Sequence, residues 1–470
     1  MSRTRTNKVI EAIQRKIASR ALVAGEKLPS IRRFAATMQV SPSTVVDAYD
    51  RLAAEGIIFA RRGSGFYVAD STQPFAISEA GPRLERAIDP FWVSRQSLDA
   101  DQDALKPGCG WLPADWQPLA PLRRAIRGLA QTDDALLTDY GSTRGALNLR
   151  RLLARQFVDE GLSVTPDQIL LTSSGTQAID LICRLLLRAG DTVLVDDPCY
   201  FNFQALLRAH HVNIISTPFT KDGPDIARFE QALEQHKPRL YLTNSALHNP
   251  TGATLSAQVA HQVLKLANAH DLTIIEDDIF APFEPTLSPR LALLDGLGRV
   301  IRIGSFSKTL SASVRCGYIA ARPDWIEALV DLQVATNFGG PSPIAAELIY
   351  GVLNDGSYRK HMGALRNKLT RARSDTAAQL NAIGITPWLE PRGGFYLWCK
   401  LPDGADATEL ARLALNDNII LAPGNVFSVS QSMSNFMRFN VSQMQSPKVF
   451  DVIEQAFKTS TINDGLNRPY

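Results

Sequence analysis

The chain contains 470 residues, enough polypeptide for about three domains of ordinary size, so a single small module is excluded. Hydrophobic residues make up 45% and charged residues 21% of the chain, and this composition excludes wholesale disorder. The net charge is only +3, but residues 1–70 contain twelve Lys or Arg against six Asp or Glu, so the basic charge belongs to the amino-terminal end.

Residues 7–20 predict an amphipathic helix, because apolar residues recur at helical spacing with Lys and Arg between them. A short helix is predicted over 31–38. The start of another helix is predicted directly afterwards, with Ser41 as the N-cap and Pro42 at the first helical position. This helix should run to about Ala54. Two short helices joined by a tight turn are typical of a helix-turn-helix.

A β-hairpin is predicted directly after these helices. Two β-prone runs, at 57–59 and 66–68, flank the basic loop at 61–65. A hairpin in this position makes the motif winged. A small helical bundle with a solvated basic face would have a similar composition, but the order of the elements and the +6 charge of residues 1–70 favour DNA binding.

The rest of the chain is predicted to hold a linker and a large α/β domain. Residues 71–104 are polar, with one short helix between Leu84 and Trp92. Residues 105–470 follow, and their strand-like runs alternate with helical stretches, which indicates a mainly parallel sheet. These runs are 169–171, 193–195, 213–215, 240–242, 273–275 and 300–303. Runs at 394–398 and 437–440 predict the strands of a smaller α+β lobe.

One lysine stands out by its surroundings. Lys308 lies in Ser305-Phe306-Ser307-Lys308-Thr309, directly after the strand that ends at Ile303, where strand ends direct ligands into a crevice. Upstream, the run at 173–177 follows a strand and opens a helix, so its free N–H groups could bind a phosphate. A simple helix cap would use the same residues.

Two further polar groups follow neighbouring strands. Asn249-Pro250-Thr251-Gly252 comes after the strand at 240–242, and Glu276-Asp277-Asp278 comes after the strand at 273–275. The acids could ligate magnesium, but no phosphate-binding P-loop accompanies them. A carboxylate that faces a cationic ring nitrogen is the better interpretation, and no metal site is expected.

In combination these motifs resemble the fold-type I aminotransferases that use pyridoxal 5′-phosphate (PLP). The shared elements are the residues at 174–176, the N-P-T-G at 249–252, Asp277, Lys308 and, seven residues later, Arg315. The amino-terminal pattern Leu28-Pro29-Ser30-Ile31-Arg32, the helix from Ser41 and the Gly63-Ser64-Gly65 wing resemble the GntR winged helix. Nearly the whole chain is therefore similar to the MocR/GabR family of regulators.

The resemblance implies a multi-domain fold and a role for each matching residue. The fold is a small winged helix-turn-helix (α+β) plus a fold-type I aminotransferase-like α/β domain with a smaller α+β lobe. Lys308 would bind PLP covalently, and Asp277 would keep the ring nitrogen protonated. The other expected contacts are Asn249 to the ring 3′-oxygen, Tyr200 stacked on the ring, Ser174, Gly175, Thr176, Ser305, Ser307 and Arg315 around the phosphate, Arg438 to a substrate carboxylate, and Tyr140 to the phosphate of the neighbouring subunit of a homodimer.

The sequence departs from the family pattern at two positions. Ile279 stands where the family commonly has a tyrosine that bonds the 3′-oxygen, so one donor is missing. Pro42 stands where GntR-like proteins often have an arginine. Base readout is therefore expected from Arg32, Ser43 and Thr44. The wing residues Arg61, Arg62 and Gly63 are the other DNA-binding candidates, and the two arginines would contact phosphates or the minor groove.

Two functions remain compatible with these residues. The chain could be a PLP-dependent transcription regulator that binds double-stranded DNA and senses PLP or a small amino compound. It could also be an aminotransferase with an accessory winged helix, or retain weak half-reaction activity as a regulator. Fusion to a DNA reader favours regulation. Met1 to Lys8 lack the apolar core of a signal peptide, and no run approaches the ~18 apolar residues of a membrane helix, so a cytoplasmic, membrane-free location is expected.

Overall fold

The computed structural model describes residues 5–18, 21–23, 25–54, 57–61, 64–69, 90–101 and 103–466. The chain divides into two compact units, Met1–Ala104 and Leu105–Tyr470. The helices are α1 (Arg5–Ala18), α2 (Ile31–Met38), α3 (Pro42–Ala54), α4 (Pro90–Asp99), α5 (Leu119–Leu129), α6 (Asp134–Thr138), α7 (Leu147–Asp159), α8 (Gly175–Leu186), α9 (Phe201–Ala209), α10 (Ile226–His236), α11 (Ala257–Ala269), α12 (Leu291–Asp295), α13 (Pro323–Asn337), α14 (Pro343–Asn354), α15 (Ser357–Ala382), α16 (Ala407–Leu415) and α17 (Pro447–Leu466).

The strands form three sheets. They are β1 (Ile58–Arg61), β2 (Gly65–Val68), β3 (Ile169–Thr172), β4 (Thr192–Asp197), β5 (Asn213–Thr220), β6 (Gly223–Pro224), β7 (Leu240–Thr243), β8 (Thr273–Asp277), β9 (Val300–Ser305), β10 (Gly317–Ala320), β11 (Thr386–Pro387), β12 (Tyr396–Lys400), β13 (Ala422–Pro423) and β14 (Phe436–Asn440). The β1–β2 hairpin stands in the first unit. An eight-stranded sheet, in the order β3-β10-β9-β8-β7-β4-β5-β6, and a four-stranded sheet, in the order β11-β12-β14-β13, build the second.

The predicted winged helix-turn-helix is confirmed in the first unit. Gln39 ends α2 in the left-handed region, with φ 52°, and turns the chain into α3. The Ser41 hydroxyl accepts a hydrogen bond from the Thr44 N–H at 3.3 Å, as expected of an N-cap. In the hairpin that follows, Ile58 pairs with Val68 and Arg61 with Gly65.

A small aromatic core holds this unit together. Tyr49 of α3 is 1% exposed, and its ring lies 6.3 Å from that of Phe34 and 5.1 Å from that of Phe66. Its hydroxyl donates to the Pro29 carbonyl at 2.8 Å, so the buried polar tip is satisfied. Because Phe66 faces inward, the strand alternation turns Phe59, Arg61 and Tyr67 outward.

The large sheet is mixed rather than uniformly parallel. β4, β5, β7, β8 and β9 run parallel as predicted, but β10 lies antiparallel between β3 and β9. Residues 306–316 connect β9 to β10 without a helix, and this connection is shorter than the crossover that adjacent parallel strands usually need, so antiparallel pairing is expected. The sequence pattern does not mark the short run of β10 as a strand.

The strand directions decide where ligands can bind. β3, β4, β7, β8 and β9 all point the same way, so their carboxyl ends meet at one edge of the sheet. The segments that follow these strands are those with the predicted phosphate, ring-nitrogen and lysine residues. Crevices outside the carboxyl ends of strands are the usual ligand sites of such sheets.

The predicted smaller lobe is confirmed as an antiparallel four-stranded sheet. Arg438 lies in β14, opposite Trp398 of β12 and Ala422 of β13. Because β14 has a partner on each side, Arg438 occupies a central strand. Its guanidinium lies 4.2 Å from the centre of the Tyr396 ring and 4.8 Å from that of Phe427.

The described part of the segment predicted as a linker contains α4, Pro90–Asp99. Of the helix predicted between Leu84 and Trp92, only residues 90–92 are described, and they lie in α4; residues 70–89 lie outside the described part. All five cysteines are buried, and none forms a disulfide bond. Among the described residues, no helix combines the length and apolarity needed to cross a bilayer.

Candidate functional site

The start of α8 offers free backbone donors. Ser174 caps the helix, and its hydroxyl accepts from the Gln177 N–H at 3.0 Å. The N–H groups of Gly175 and Thr176 have no acceptor among the described residues. Free N–H groups together with the positive end of the helix dipole form a site for an anion.

Two serine hydroxyls border the same turn. Ser305 Oγ lies 2.8 Å from Ser307 Oγ and donates to the Cys316 carbonyl at 3.1 Å. A Cβ atom on Gly175 would lie 3.8 Å from the Ser305 Cβ, so the α8 start and the end of β9 are neighbours. The close approach requires Gly317, whose Cβ would lie 2.8 Å from the Ser174 carbonyl carbon.

Arg315 adds a cation to this group. Its backbone is in the left-handed region with φ 54°, and its side chain is exposed. It forms no hydrogen bond or ion pair within the described part of the chain, so its guanidinium is available to a ligand. Thr176 is also exposed at this edge.

Lys308 is held as a reactive amine. Its Nζ donates to the carbonyl oxygen of Gly110. Burial lowers the pKa of Lys308 to about 8; Arg438 and Arg315 lower it too, while Asp277 opposes them. A substantial fraction of the amine is therefore neutral near pH 8, and the neutral form is the nucleophile.

Asp277, at the end of β8, is a buried carboxyl with few partners. Burial raises its pKa to about 7, against the lowering effect of the Ile279 N–H, which donates to Oδ1 at 3.2 Å. The Asn244 amide donates to the Asp277 carbonyl at 3.0 Å and so fixes the strand end. A buried carboxylate of this kind is stabilised by a cation placed against it.

Asn249 and Arg438 are joined directly. Arg438 is 1% exposed, and its Nη1 donates to Asn249 Oδ1 at 2.8 Å while its Nη2 donates to the Gly108 carbonyl at 2.7 Å. The Nε of Arg438 is buried and has no acceptor among the described residues. A buried N–H without a partner is costly, which indicates that a ligand belongs there.

The two predicted tyrosines lie in different surroundings. Tyr200 precedes α9 and is half-buried, with its ring 5.4 Å from that of Phe203. Burial raises its pKa, with Arg438 and Asp277 as the charges that act on it. Tyr140, in contrast, is 81% exposed and packs against the exposed ring of Phe338 at 4.9 Å, so it lies at the surface of the chain.

Three residues of the cluster were not identified from the sequence. Gly110 carries the carbonyl that binds Lys308, Tyr396 places its hydroxyl beside Gly110, and Asn244 holds the end of β8. The glycines at 108 and 110 are a signal for close backbone approach that could have been used. Tyr396 lies in a run that indicates only a strand, and its role becomes visible when β12 is placed beside β14.

The predicted DNA-binding residues of the described part are all near the surface. Arg32 and Ser43 are exposed, and Thr44 is half-buried. The Ser43 and Thr44 hydroxyls each lie 2.8 Å from Ser41 Oγ, so they also stabilise the helix start. The remaining two candidates, Arg62 and Gly63, lie outside the described residues.

Arg61 is held over two aromatic rings. Its guanidinium lies 4.6 Å from the Tyr67 ring and 5.5 Å from the Phe59 ring, and these two rings stack at 5.9 Å. The Tyr67 hydroxyl in turn lies 2.6 Å from Ser64 Oγ. This aromatic support orders a side chain that would otherwise be free to rotate.

A buried ionic network lies next to Asp277. Asp278 accepts from Arg290 Nε at 2.6 Å and forms an ion pair with Arg302 Nη2 at 2.7 Å. Arg290 also contacts Glu284 at 2.6 Å, and Arg302 contacts Glu160 at 2.6 Å. The network connects β8 to β9, the two strands that lead to Asp277 and Lys308.

The donor set fits the chemistry of PLP. Its dianionic phosphate suits the free N–H groups of α8 and the Arg315 guanidinium, its ring nitrogen suits the buried carboxyl of Asp277, and its aldehyde suits the Lys308 amine. The orphaned Nε of Arg438 suits a carboxylate next to the ring. Among the described residues, no group of three or more His, Cys, Asp or Glu side chains could hold a metal ion.

Two protein families match the chain in series. Residues 5–68 match the family described as bacterial regulatory proteins of the gntR family. Residues 110–455 match aminotransferase class I and II. The matches cover the winged helix and the large unit in the order in which the sequence predicted them.

Curated relatives extend over both parts. The chain is 30% identical to the uncharacterized HTH-type transcriptional regulator YdcR of Escherichia coli strain K12 over 461 residues, which cover 95% of this chain and 97% of the relative. It is 26% identical to the HTH-type transcriptional regulator NorG of Staphylococcus aureus strain USA300 over 417 residues, 85% of this chain and 92% of the relative.

Solved structures match the large unit. LysN, the α-aminoadipate aminotransferase of Thermus thermophilus, aligns with a TM-score of 0.71 at 23% identity, covering 78% of this chain and 95% of that one. An archaeal alanine:glyoxylate aminotransferase aligns with a TM-score of 0.71 at 25% identity, covering 78% and 93%. The chain therefore belongs to the MocR/GabR family, in which a GntR-type winged helix-turn-helix domain is fused to a class I and II aminotransferase domain.

Proposed function

We propose that this protein is a PLP-dependent transcription regulator that binds DNA through the winged helix and senses an amino compound in its aminotransferase-like domain. The observation that carries the proposal is the presence, in one chain, of a DNA-binding unit and of a complete Lys308–Asp277–Arg438 cluster. The names of the relatives support regulation over a purely metabolic aminotransferase.

The protein residues prepare the site for an amine. Bound PLP supplies an aldehyde that captures amines and a ring that accepts electrons from them. Lys308 would hold the cofactor through its amine, and the lowered pKa of that amine keeps a large neutral fraction available near pH 8. Asp277 would hold a proton at the ring nitrogen. Burial raises the pKa of the Asp277 carboxyl, and a cation placed against it lowers that pKa again.

Arg438 connects the amino compound to Asn249. A carboxylate that binds the guanidinium competes with Asn249 Oδ1, which now accepts from Nη1 at 2.8 Å. Because the Asn249 amide is proposed to bond the 3′-oxygen, ligand binding at Arg438 changes the environment of the cofactor. This link gives a sensor a way to respond to the ligand without completing a reaction.

The proposal includes a homodimer. Tyr140 and Phe338 form an exposed aromatic pair, and a Cβ atom on the neighbouring Gly141 would lie 3.1 Å from the Pro343 ring. Leu137 and Ile344, on α6 and α14, are 54% and 40% exposed. A second copy would cover this apolar surface and could bring its own Tyr140 to the phosphate, as the family resemblance implies.

DNA binding in the presence and absence of ligands tests the proposal. Fragments selected by the purified chain from genomic DNA serve as probes in titrations with PLP, and with PLP plus single amino acids. We expect the affinity or the footprint to change with PLP and change again with at least one amino acid. If neither PLP nor any amino acid changes DNA binding, and the protein catalyses transamination efficiently, the result would instead support an aminotransferase with an accessory winged helix.

Replacing Arg61 with Ala tests the wing. The aromatic rings beneath Arg61 hold its charge outward, so we expect weaker binding to every DNA sequence and a salt dependence flatter by about one unit of slope. The measurement is a titration of a short mixed-sequence duplex at several salt concentrations. Arg15→Ala, which removes an exposed arginine paired with Asp101 at 3.0 Å, is the matched control. An Arg61→Ala slope equal to that of wild type would exclude a contact between Arg61 and DNA.

A further inference from the structure

Tyr396 brings a hydroxyl group into the Lys308 cluster. It is the first residue of β12, pairs with Asn440 of β14, and is 4% exposed. Its hydroxyl makes no hydrogen bond within the described part of the chain, although buried phenols usually find a partner. Its hydrogen-bonding capacity is therefore available to a ligand.

The hydroxyl and the lysine amine border the same small space. A Cβ atom on Gly110 would lie 3.0 Å from the Tyr396 hydroxyl oxygen and 3.4 Å from Lys308 Nζ. Only a residue without a side chain leaves this space open. A compound whose amine takes the place of Lys308 Nζ thus has its adjacent atoms next to the Tyr396 hydroxyl.

Arg438 lies over the Tyr396 ring. Its guanidinium is 4.2 Å from the centre of that ring, and its Nε has no acceptor among the described residues. The cluster therefore combines one amine, one phenol and one arginine with unused donors. A carboxylate on the same carbon as the amine would satisfy the phenol and the arginine together.

We propose that Tyr396 selects α-amino acids: its hydroxyl donates a hydrogen bond to the carboxylate held at Arg438, and this bond discriminates against amines without a carboxylate. The inference rests on the proposed function and names its ligand class. Because the amine and the carboxylate must reach neighbouring groups, a compound with an additional carbon between them fits less well. Sites built to hydrogen-bond a ligand group reject analogues that lack it, since buried donors are then left unpaired.

The test combines one variant and its control with two sets of matched ligands. Tyr396→Phe keeps the ring over Arg438 and removes only the hydroxyl, and Tyr350→Phe on α14 is the control. Calorimetric titration of the full PLP-loaded chain gives the Kd of L-alanine, β-alanine and ethylamine. Phenylalanine and 2-phenylethylamine form a second acid and amine pair for a larger side chain.

We expect wild type to bind L-alanine more tightly than β-alanine, and both more tightly than ethylamine. Tyr396→Phe should raise the Kd of L-alanine about tenfold, the size of one hydrogen bond to a charged group, and leave the Kd of ethylamine within about twofold. The PLP content, read from the absorption spectrum, should not change, and Tyr350→Phe should behave as wild type.

Other outcomes would overturn the inference. An equal effect of Tyr396→Phe on the acid and the amine would make Tyr396 a packing residue. An unchanged Kd for L-alanine, or a wild-type chain that binds ethylamine as tightly, would exclude the carboxylate contact while leaving the proposed function standing. A chain that retains no PLP would refute the proposed function itself, and this inference with it.

Discussion

Lys308→Ala should abolish the covalent link between the protein and PLP. Borohydride reduction of the loaded wild-type chain, followed by peptide mass mapping, should place the reduced adduct on Lys308, and the variant should yield none. The expected loss is complete, because a covalent bond to a nitrogen that is absent cannot form. PLP should still bind the variant without a covalent bond, since the α8 donors, Arg315 and Asp277 remain in place.

The fold should survive this substitution. Lys308 Nζ makes one hydrogen bond, to the Gly110 carbonyl, and burial already disfavours its charged form. We expect an unchanged circular dichroism spectrum and a denaturation midpoint close to that of wild type. Lys360→Ala, at an exposed position of α15, controls for the loss of a lysine in general. An adduct on another lysine in either protein would contradict the assignment.

The α2 and α3 boundaries were predictable because their signals are local. Ser30 and Ser41 supply cap hydroxyls, and Pro42 fixes the first turn of α3, so the sequence marks both helix starts. The six parallel-type strands were predictable for the same reason, as short apolar runs between helices. Strand β10 was missed because two of its four residues, Gly317 and Ala320, are weak strand formers, whereas the equally short β3 and β7 are rich in Leu and Ile. Its pairing depends on partners 12 residues or more distant along the chain, such as Ser305 for Gly317 and Leu171 for Tyr318.

The residues of the candidate site also divide into those that local sequence signals identify and those that they do not. Lys308, Asp277 and Asn249 follow strands and belong to motifs, so their positions could be predicted, while their roles stay predictions that the spectroscopic and mapping experiments test. Tyr396 and Gly110 could not be chosen in this way. They meet Lys308 only because β12 is packed against β14 and the segment around Gly110 hydrogen-bonds to Arg438 and Asn440, contacts that span more than 300 residues.

Asp278→Asn should destabilise the aminotransferase-like unit strongly, although the neighbouring Asp277→Asn should not. Asp278 is fully buried and is shared by Arg290 and Arg302, at 2.6 and 2.7 Å. Asparagine keeps the shape and removes the charge, so two buried guanidinium groups lose their common counter-ion. Breaking a buried ion pair in this way costs about 3–5 kcal/mol.

At Asp277 the same substitution should stabilise the folded chain when no cofactor is bound. Burial raises the pKa of Asp277 to about 7, well above the ordinary value of about 3.9 in an unfolded chain, so the carboxylate destabilises the folded state. This penalty is complete above about pH 7, declines as the pH falls below about 7, and disappears only near the unfolded-chain value. In the cofactor-free chain, Asp277→Asn should therefore be more stable than wild type at about pH 8, and the difference should narrow at about pH 6.

Urea denaturation of the two cofactor-free variants and wild type, at both pH values, measures these effects side by side. We expect Asp278→Asn to have the lowest midpoint at either pH, because its counter-ions do not titrate in this range, and Asp277→Asn to have the highest midpoint at the higher pH. Adding PLP should stabilise wild type more than Asp277→Asn, because only the carboxylate attracts the ring cation. Equal urea midpoints for Asp277→Asn and Asp278→Asn would mean that the two carboxyl groups have the same role. That result would contradict the distinction between a structural Asp278 and a cofactor-facing Asp277.

If Asp278→Asn instead stabilises the chain, the cost of desolvating the buried ionic network exceeds the attraction between its charges.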